Sequence, residues 1–223
     1  MIILHRLTCW LVRVGTRLLC RIHGQDLARI PAKGPLLLVT NHIGSLEVPL
    51  LFAHLQPRPI TGFAKIETWD DPLMGWLFDL WGAIPIRRGE ADLEAVRRGF
   101  KALSSGCILA VAPEGTRSRH GRLLRGHPGI VSLALRSGAT ILPLAHWGGE
   151  NFSRNLRQFK RTDFHIRVGT PFRLAANSEK VTRALRQQMT DEIMVQIARL
   201  MPDRYHGEYR QSVGVQTKYL VYK

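Results

Sequence analysis

The sequence predicts an α/β fold, with a largely parallel central sheet flanked by helices and an N-terminal amphipathic helix suited to a membrane interface. Three observations carry this reading. Short apolar runs such as "LLLVT" (36–40) and "CILAVAP" (107–113) alternate with helical patterns, the order that builds parallel sheets covered on both faces. The chain of 223 residues is long enough for one well-formed core, and its 45% hydrophobic and 22% charged content is that of an ordinary globular protein. The N-terminal stretch is apolar yet cut by arginines at helical spacing.

That stretch comes first. In "MIILHRLTCWLVRVGTRLLCRI" (1–22), Arg6, Arg13, Arg17 and Arg21 fall within an arc of about 80° at about 100° per residue. Leu4, Leu7, Leu11, Val14, Leu18 and Ile22 line another face. No uninterrupted spanning run exists, and a signal-peptide core is lacking. Such a helix either lies in a membrane interface, arginines to anionic headgroups, or packs on its own domain. "PAKGP" (31–35) is a break. Residues 36–40 then read as a buried strand, 59–65 and 82–86 as short strands around the helical "WDDPLMGWLFDLW" (69–81), and 90–103 as an amphipathic helix. The strand at 107–113, a helix at 129–137, and strands at 140–147 and 164–169 follow. A last helix over 178–200 spaces Val181, Leu185, Met189, Ile193 and Ile197 four apart, as a core face does. The expected organisation is a helix and connector over 1–30, an α/β domain over 31–210 and a tail over 211–223.

Charge is the anomaly. Thirty-two Lys and Arg against 17 Asp and Glu give +15, with a pI near 10.8. A polyanionic partner is implied: nucleic acid, an anionic membrane face or phosphorylated small molecules. Three scattered cysteines, Cys9, Cys20 and Cys107, form no C-x-x-C pair, so neither a disulfide framework nor a zinc site is indicated.

Sites in parallel sheets gather where strands end, and His42, Lys65, Arg88 and Glu114 all stand at such ends. Five positions apart on one helix, His42 and Glu47 would point about 140° away from each other. They meet only if His42 lies in the turn before a helix and Glu47 in its first turn. Gly44 permits that turn and Ser45 can cap the helix. A carboxylate so placed stays ionised and can bind one imidazole N–H, leaving the other nitrogen as a general base. A histidine merely satisfied by backbone is the competing reading. In "VAPEGTRSRHGRLLRGHPGI" (111–130), a strand turns at Pro113-Glu114-Gly115 and presents Thr116, Arg117, Ser118 and Arg119. Glycine, hydroxyls and arginines in such a loop suit a phosphate.

"NHIGSLE" (41–47), "AKIE…GAIPIRRG" (64–89), "PEGTRS" (113–118) and "ILPLAHW" (141–147) resemble, in order, the signature blocks of the glycerolipid acyltransferase family. In that family the first block is H-x-x-x-x-D, histidine as base and aspartate as its orienter; here Glu47 stands for the aspartate. The resemblance assigns His42 as base and Glu47 as orienter, with Arg88, Glu114 and Gly115 binding a glycerophosphate-type acceptor. Charge and placement add Lys65 and Arg117, and the hydroxyl of Thr116 in the same loop is counted with the substrate-binding residues. Arg87 stands where the second block usually has an acidic or polar residue.

What the resemblance implies is transfer of a fatty acyl group to a free hydroxyl of a lysophospholipid, foremost 1-acyl-sn-glycerol-3-phosphate, giving phosphatidic acid. The donor is acyl-CoA or acyl-carrier protein, and neither cofactor nor metal is called for. His120, His127, His146 and His165 lack ligand spacing and read as structural or surface residues. The partners expected are the donor, the lysophospholipid and an anionic membrane surface on the cytoplasmic face, with peripheral attachment and no nucleic acid. Glycerol-3-phosphate or another lysolipid, a lyso-aminolipid included, would be served by the same chemistry. The reading from another class is a basic nucleic-acid- or membrane-binding protein without catalysis. No RNP-like or helix-turn-helix signature supports the nucleic-acid form.

Overall fold

The computed structural model describes residues 2–90, 92–176 and 180–222. In chain order it contains α1 (Ile2–Leu19), β1 (Cys20–His23), β2 (Leu36–Thr40), α2 (Glu47–His54), β3 (Ile60–Lys65), α3 (Pro72–Leu80), β4 (Ile84–Ile86), α4 (Leu93–Ser104) and β5 (Ile108–Val111). Then come α5 (Gly129–Ser137), β6 (Thr140–Trp147), α6 (Phe152–Arg157), β7 (Thr162–Val168), β8 (Phe172–Leu174), α7 (Arg183–Ala198) and β9 (Leu220–Tyr222). The main sheet runs β1-β7-β6-β2-β5-β3-β4, with β8 pairing β6 and β9 pairing β8. The ladders among β6, β2, β5, β3 and β4 are parallel, whereas β7 and β8 meet β6 antiparallel.

Burial pattern explains the order. All five residues of β2 are buried, as a strand with both faces covered requires. Leu37, Val39, Leu109 and Ile141 face a core completed by α4, α5 and α7. Leu36, Leu38, Ile108 and Leu142 face one completed by residues of α1 and α2 with Trp81. In β7 the burial alternates, Thr162, Phe164, Ile166 and Val168 inward against exposed Asp163 and Arg167, which suits a strand near the sheet's margin. Helix ends follow their caps. Asp71 accepts from Leu73 and Met74 N–H with Pro72 next to it, Asp92 from Ala95 N–H, and Thr182 from Leu185 N–H. The last helix therefore begins at Arg183 rather than 178; residues 178 and 179 lie outside the described residues.

The N-terminus departs from the expected 1–22 helix. Residues Cys20–His23 leave it to pair in parallel with β7. Arg161 fixes the exit, donating through Nη2 to the carbonyls of Arg17 and Cys20 at 2.6 Å each. Arg21 consequently lies in the strand, 3.9 Å from Asp163. Arg13 turns inward and donates to Ala53 O at 2.6 Å, satisfying a free carbonyl at the end of α2. Cys9 and Thr16 are buried on the same side, against α2. The opposite side leaves Ile3, Leu4, Leu7, Trp10, Leu11, Val14 and Leu18 exposed. No helix among the described residues is long and apolar enough to cross a membrane. At the other end, β9 pairs β8, so one sheet runs across both expected boundaries, 30/31 and 210/211.

Candidate active site

The site forms where β2 ends. Its first member, His42, lies in the turn before α2, and Glu47 is the first residue of that helix. His42 Nδ1 is 2.7 Å from Glu47 Oε1. The same oxygen accepts the backbone N–H groups of Ile43 and Gly44, both at 2.9 Å. Ser45 does not cap the helix as expected: the preceding residue is Leu46, without a side-chain cap. The glutamate folds back and serves the turn's free N–H groups itself. Glu47 is 2% exposed. Burial would push its carboxyl up, but the hydrogen bond from His42 and the nearby imidazoles of His146 and His42 hold it down at about 2.

A second carboxylate secures the backbone of this turn. Glu114 follows β5 and is 2% exposed. Its Oε1 accepts from His42 N–H at 2.8 Å and its Oε2 from Leu124 N–H at 2.9 Å. Burial raises it to about 7, against those two hydrogen bonds. The sequence assigned Glu114 to the acceptor, but with both oxygens turned inward to backbone it acts as a brace between the His42 turn and the 113–124 loop. The loop adds Ser118 N–H to His42 O at 2.8 Å and Arg119 N–H to Ile43 O at 2.9 Å. Gly115 makes the bend at φ +65, where a side chain is disfavoured.

The cations stand along the same edge. Lys65 ends β3 in register with Ile86 of β4, and Arg88 follows that strand; both side chains are exposed, as are Thr116 and Arg117. Partial burial lowers Arg88 first, and the like charge of Arg117 lowers it further. Between β2 and β4 lie three strand spacings, roughly 14 Å. His42 and Arg88 thus stand at the ends of strands three places apart in the same sheet. No group of three or more His, Cys, Asp or Glu able to hold a metal occurs among the described residues.

Two participants escaped sequence reasoning. Asn41, 2% exposed, and His146, fully buried, bond one another across β2 and β6. Of the two readings the sequence left for His146, structural or surface, its burial selects the first, and it stands directly behind the His42 turn. Asn41 was visible as the neighbour of His42; nothing in the sequence tied it to a residue 105 positions away.

Comparison with known proteins identifies the family. The family model described as Acyltransferase matches residues 21–147. A lyso-ornithine lipid O-acyltransferase of Pseudomonas aeruginosa is 35% identical over 112 residues, covering 50% of this chain and 42% of that protein. A 1-acyl-sn-glycerol-3-phosphate acyltransferase of the same organism is 29% identical over 148 residues, 65% of this chain and 56% of that protein. The chain therefore spans about half the length of these relatives. The crystal structure of the 1-acyl-sn-glycerophosphate (LPA) acyltransferase PlsC from Thermotoga maritima superposes with a TM-score of 0.63 at 18% identity, over 88% of this chain and 79% of that one. That likeness is one of fold. With signature blocks in order, a shared architecture and a family match over more than half of its length, this chain belongs to the Acyltransferase family.

Proposed function

We propose that this protein transfers a fatty acyl group from an acyl thioester, acyl-CoA or acyl-carrier protein, to the free hydroxyl of a lysophospholipid, foremost 1-acyl-sn-glycerol-3-phosphate. The observation that carries the reading is the 2.7 Å contact of His42 Nδ1 with a buried, ionised Glu47. A carboxylate can only accept, so Nδ1 holds the proton and Nε2 is left as the basic nitrogen. His42 Nε2 takes the hydroxyl proton as the acceptor oxygen bonds to the thioester carbonyl carbon. When the carbon–sulfur bond breaks, the imidazolium returns that proton to the departing thiolate. Base catalysis of this kind contributes about 10²–10⁴-fold, and holding both substrates in line adds more. Arg88 and Arg117, together with Lys65, receive the acceptor's phosphate, with Thr116 exposed in the same turn as Arg117.

The exposed apolar side of α1, with Arg6 and Arg17 also exposed, attaches the protein to an anionic membrane surface where the acceptor resides. The cytoplasmic face, where acyl thioesters are available, is the side we propose. A second acceptor is favoured by the 35% identical relative, namely a lysolipid with an ornithine headgroup. The exposed cations argue for phosphate instead.

Purified protein given acyl-CoA or acyl-carrier protein with lysophosphatidic acid, lyso-ornithine lipid or glycerol-3-phosphate should form the acylated product of the first, read by mass. His42→Ala should lower the rate by about 10²–10⁴-fold with the fold intact. No product from any donor–acceptor pair would end the proposal, and preference for the ornithine acceptor would replace its substrate.

A further inference from the structure

The ladder between β2 and β6 ends in an exchange that no regular strand makes. Its last register pair is Thr40 with Leu144. One step on, the Asn41 side chain replaces the peptide. Its Nδ2 donates to His146 O at 2.9 Å, and its Oδ1 accepts from His146 N–H at 3.0 Å. Relieved of the ladder, the backbone carbonyl of Asn41 faces the His146 ring and lies 2.8 Å from Nε2. A carbonyl can only accept, so Nε2 carries the proton. Nδ1 is buried and has no partner among the described residues, so a second proton there would be a donor without an acceptor. The ring is therefore held neutral in one tautomer, stacked on Phe164 at 5.5 Å and 15°.

This clasp supplies the side of the His42 turn that the other contacts leave open. Glu47 takes the N–H groups of Ile43 and Gly44, Glu114 takes that of His42, and the 118–119 backbone takes the carbonyls of His42 and Ile43. The peptide linking Asn41 to His42 is held on both sides, its N–H by Glu114 and its carbonyl by His146. We propose that His146 is a positioning residue for the His42–Glu47 pair, its Nε2–H holding the Asn41 carbonyl so that the turn presents His42 at hydrogen-bonding distance from Glu47. The kinetic part rests on the acyl-transfer reading above; the geometric part does not.

Two variants and one label test it. His146→Leu removes the ring N–H, whereas His146→Gln can place an amide N–H at the position of Nε2. Nitrogen-15 histidine spectra of the unliganded protein report His146 directly, and the proton shared by His42 Nδ1 and Glu47 gives a far-downfield line, assigned by its loss in His42→Ala. In the wild type, His146 is expected as the neutral Nε2–H tautomer throughout the neutral range. His146→Leu should lose the downfield line and lower kcat by about 10–100-fold with KM unchanged, the scale of a misplaced catalytic group. His146→Gln should keep the line and recover kcat to within about tenfold of wild type. A charged or Nδ1–H His146 in the wild type overturns the proposal even if neither variant folds. So does a His146→Leu protein with the downfield line and kcat intact, or a folded His146→Gln protein that behaves like the leucine variant. Absence of acyl transfer by the wild type would remove the function proposed above while the spectra still decide the geometry.

Discussion

Glu47 gathers three donors on one oxygen: the His42 ring and the N–H groups of Ile43 and Gly44. The family's usual aspartate is one methylene shorter. The extra length lets this carboxylate fold back over its own turn, so the departure from the motif is absorbed by the side chain. Glu47→Asp should therefore perform worse here, not better. We expect roughly tenfold slower turnover and a loss of about 1–3 kcal/mol in denaturant unfolding, the cost of stranding buried N–H groups. Equal rate and stability would show that the turn adapts to the shorter chain. Glu114 poses the opposite problem, a buried carboxyl raised to about 7. A raised carboxyl stabilises the fold most below its unfolded value of 4.5 and loses that contribution as pH climbs through about 7. Wild-type stability should fall over that window, on the order of 3 kcal/mol at most, relative to the trend of Glu114→Gln. Unfolding midpoints at pH 4.5 to 8 check it; parallel curves for the two proteins would contradict it.

Among the elements, the strands from β2 to β6 were legible because each is an apolar run bounded by turn residues. The His42–Glu47 contact was legible for a related reason, since only a turn followed by a helix lets that spacing meet. The missed elements were of a different kind. β1 follows α1 without a break in apolar pattern, and its end is set by Arg161 from a distant part of the chain. β8 and β9 are three residues each, too short for periodicity to register, and their pairing is fixed only by tertiary neighbours. Glu114 was assigned to a ligand because sequence shows the charge but not the two backbone N–H groups beneath it. For α1, the membrane attachment proposed above can be tested on its exposed side. Trp10 and Leu11 are 58% and 54% exposed, on the side away from α2. Replacing both with glutamate should lower binding to vesicles containing anionic lipid by tenfold or more, given about 1.5–3 kcal/mol for each large apolar side chain removed from water. Circular dichroism should be unchanged; undiminished sedimentation with vesicles would assign the face to another partner.

For the whole molecule, +15 is a long-range property. It raises the local concentration of anions around the protein before any contact is made. Salt shortens the reach of this field, from about 10 Å at 0.1 M to about 3 Å at 1 M. KM for an anionic acceptor should consequently rise several-fold across that range with kcat unchanged, measured by initial rates. A flat response would assign the basic residues to contact alone or to solvent.

The sheet's closure has a consequence for fragments of this protein. The segment that carries the family signature, 21–147, ends at β6, yet β6 borders β7 and β8 on its outer side, and β1 has β7 as its partner. The loop behind the reactive turn is likewise moored by later chain: Leu123 N–H donates to Tyr205 O at 2.9 Å, and Gly126 N–H to the Tyr209 hydroxyl at 2.9 Å. Excised, the diagnostic stretch would carry every emblem of its kin while exposing a raw strand edge and a slack loop, and would be expected to precipitate rather than work.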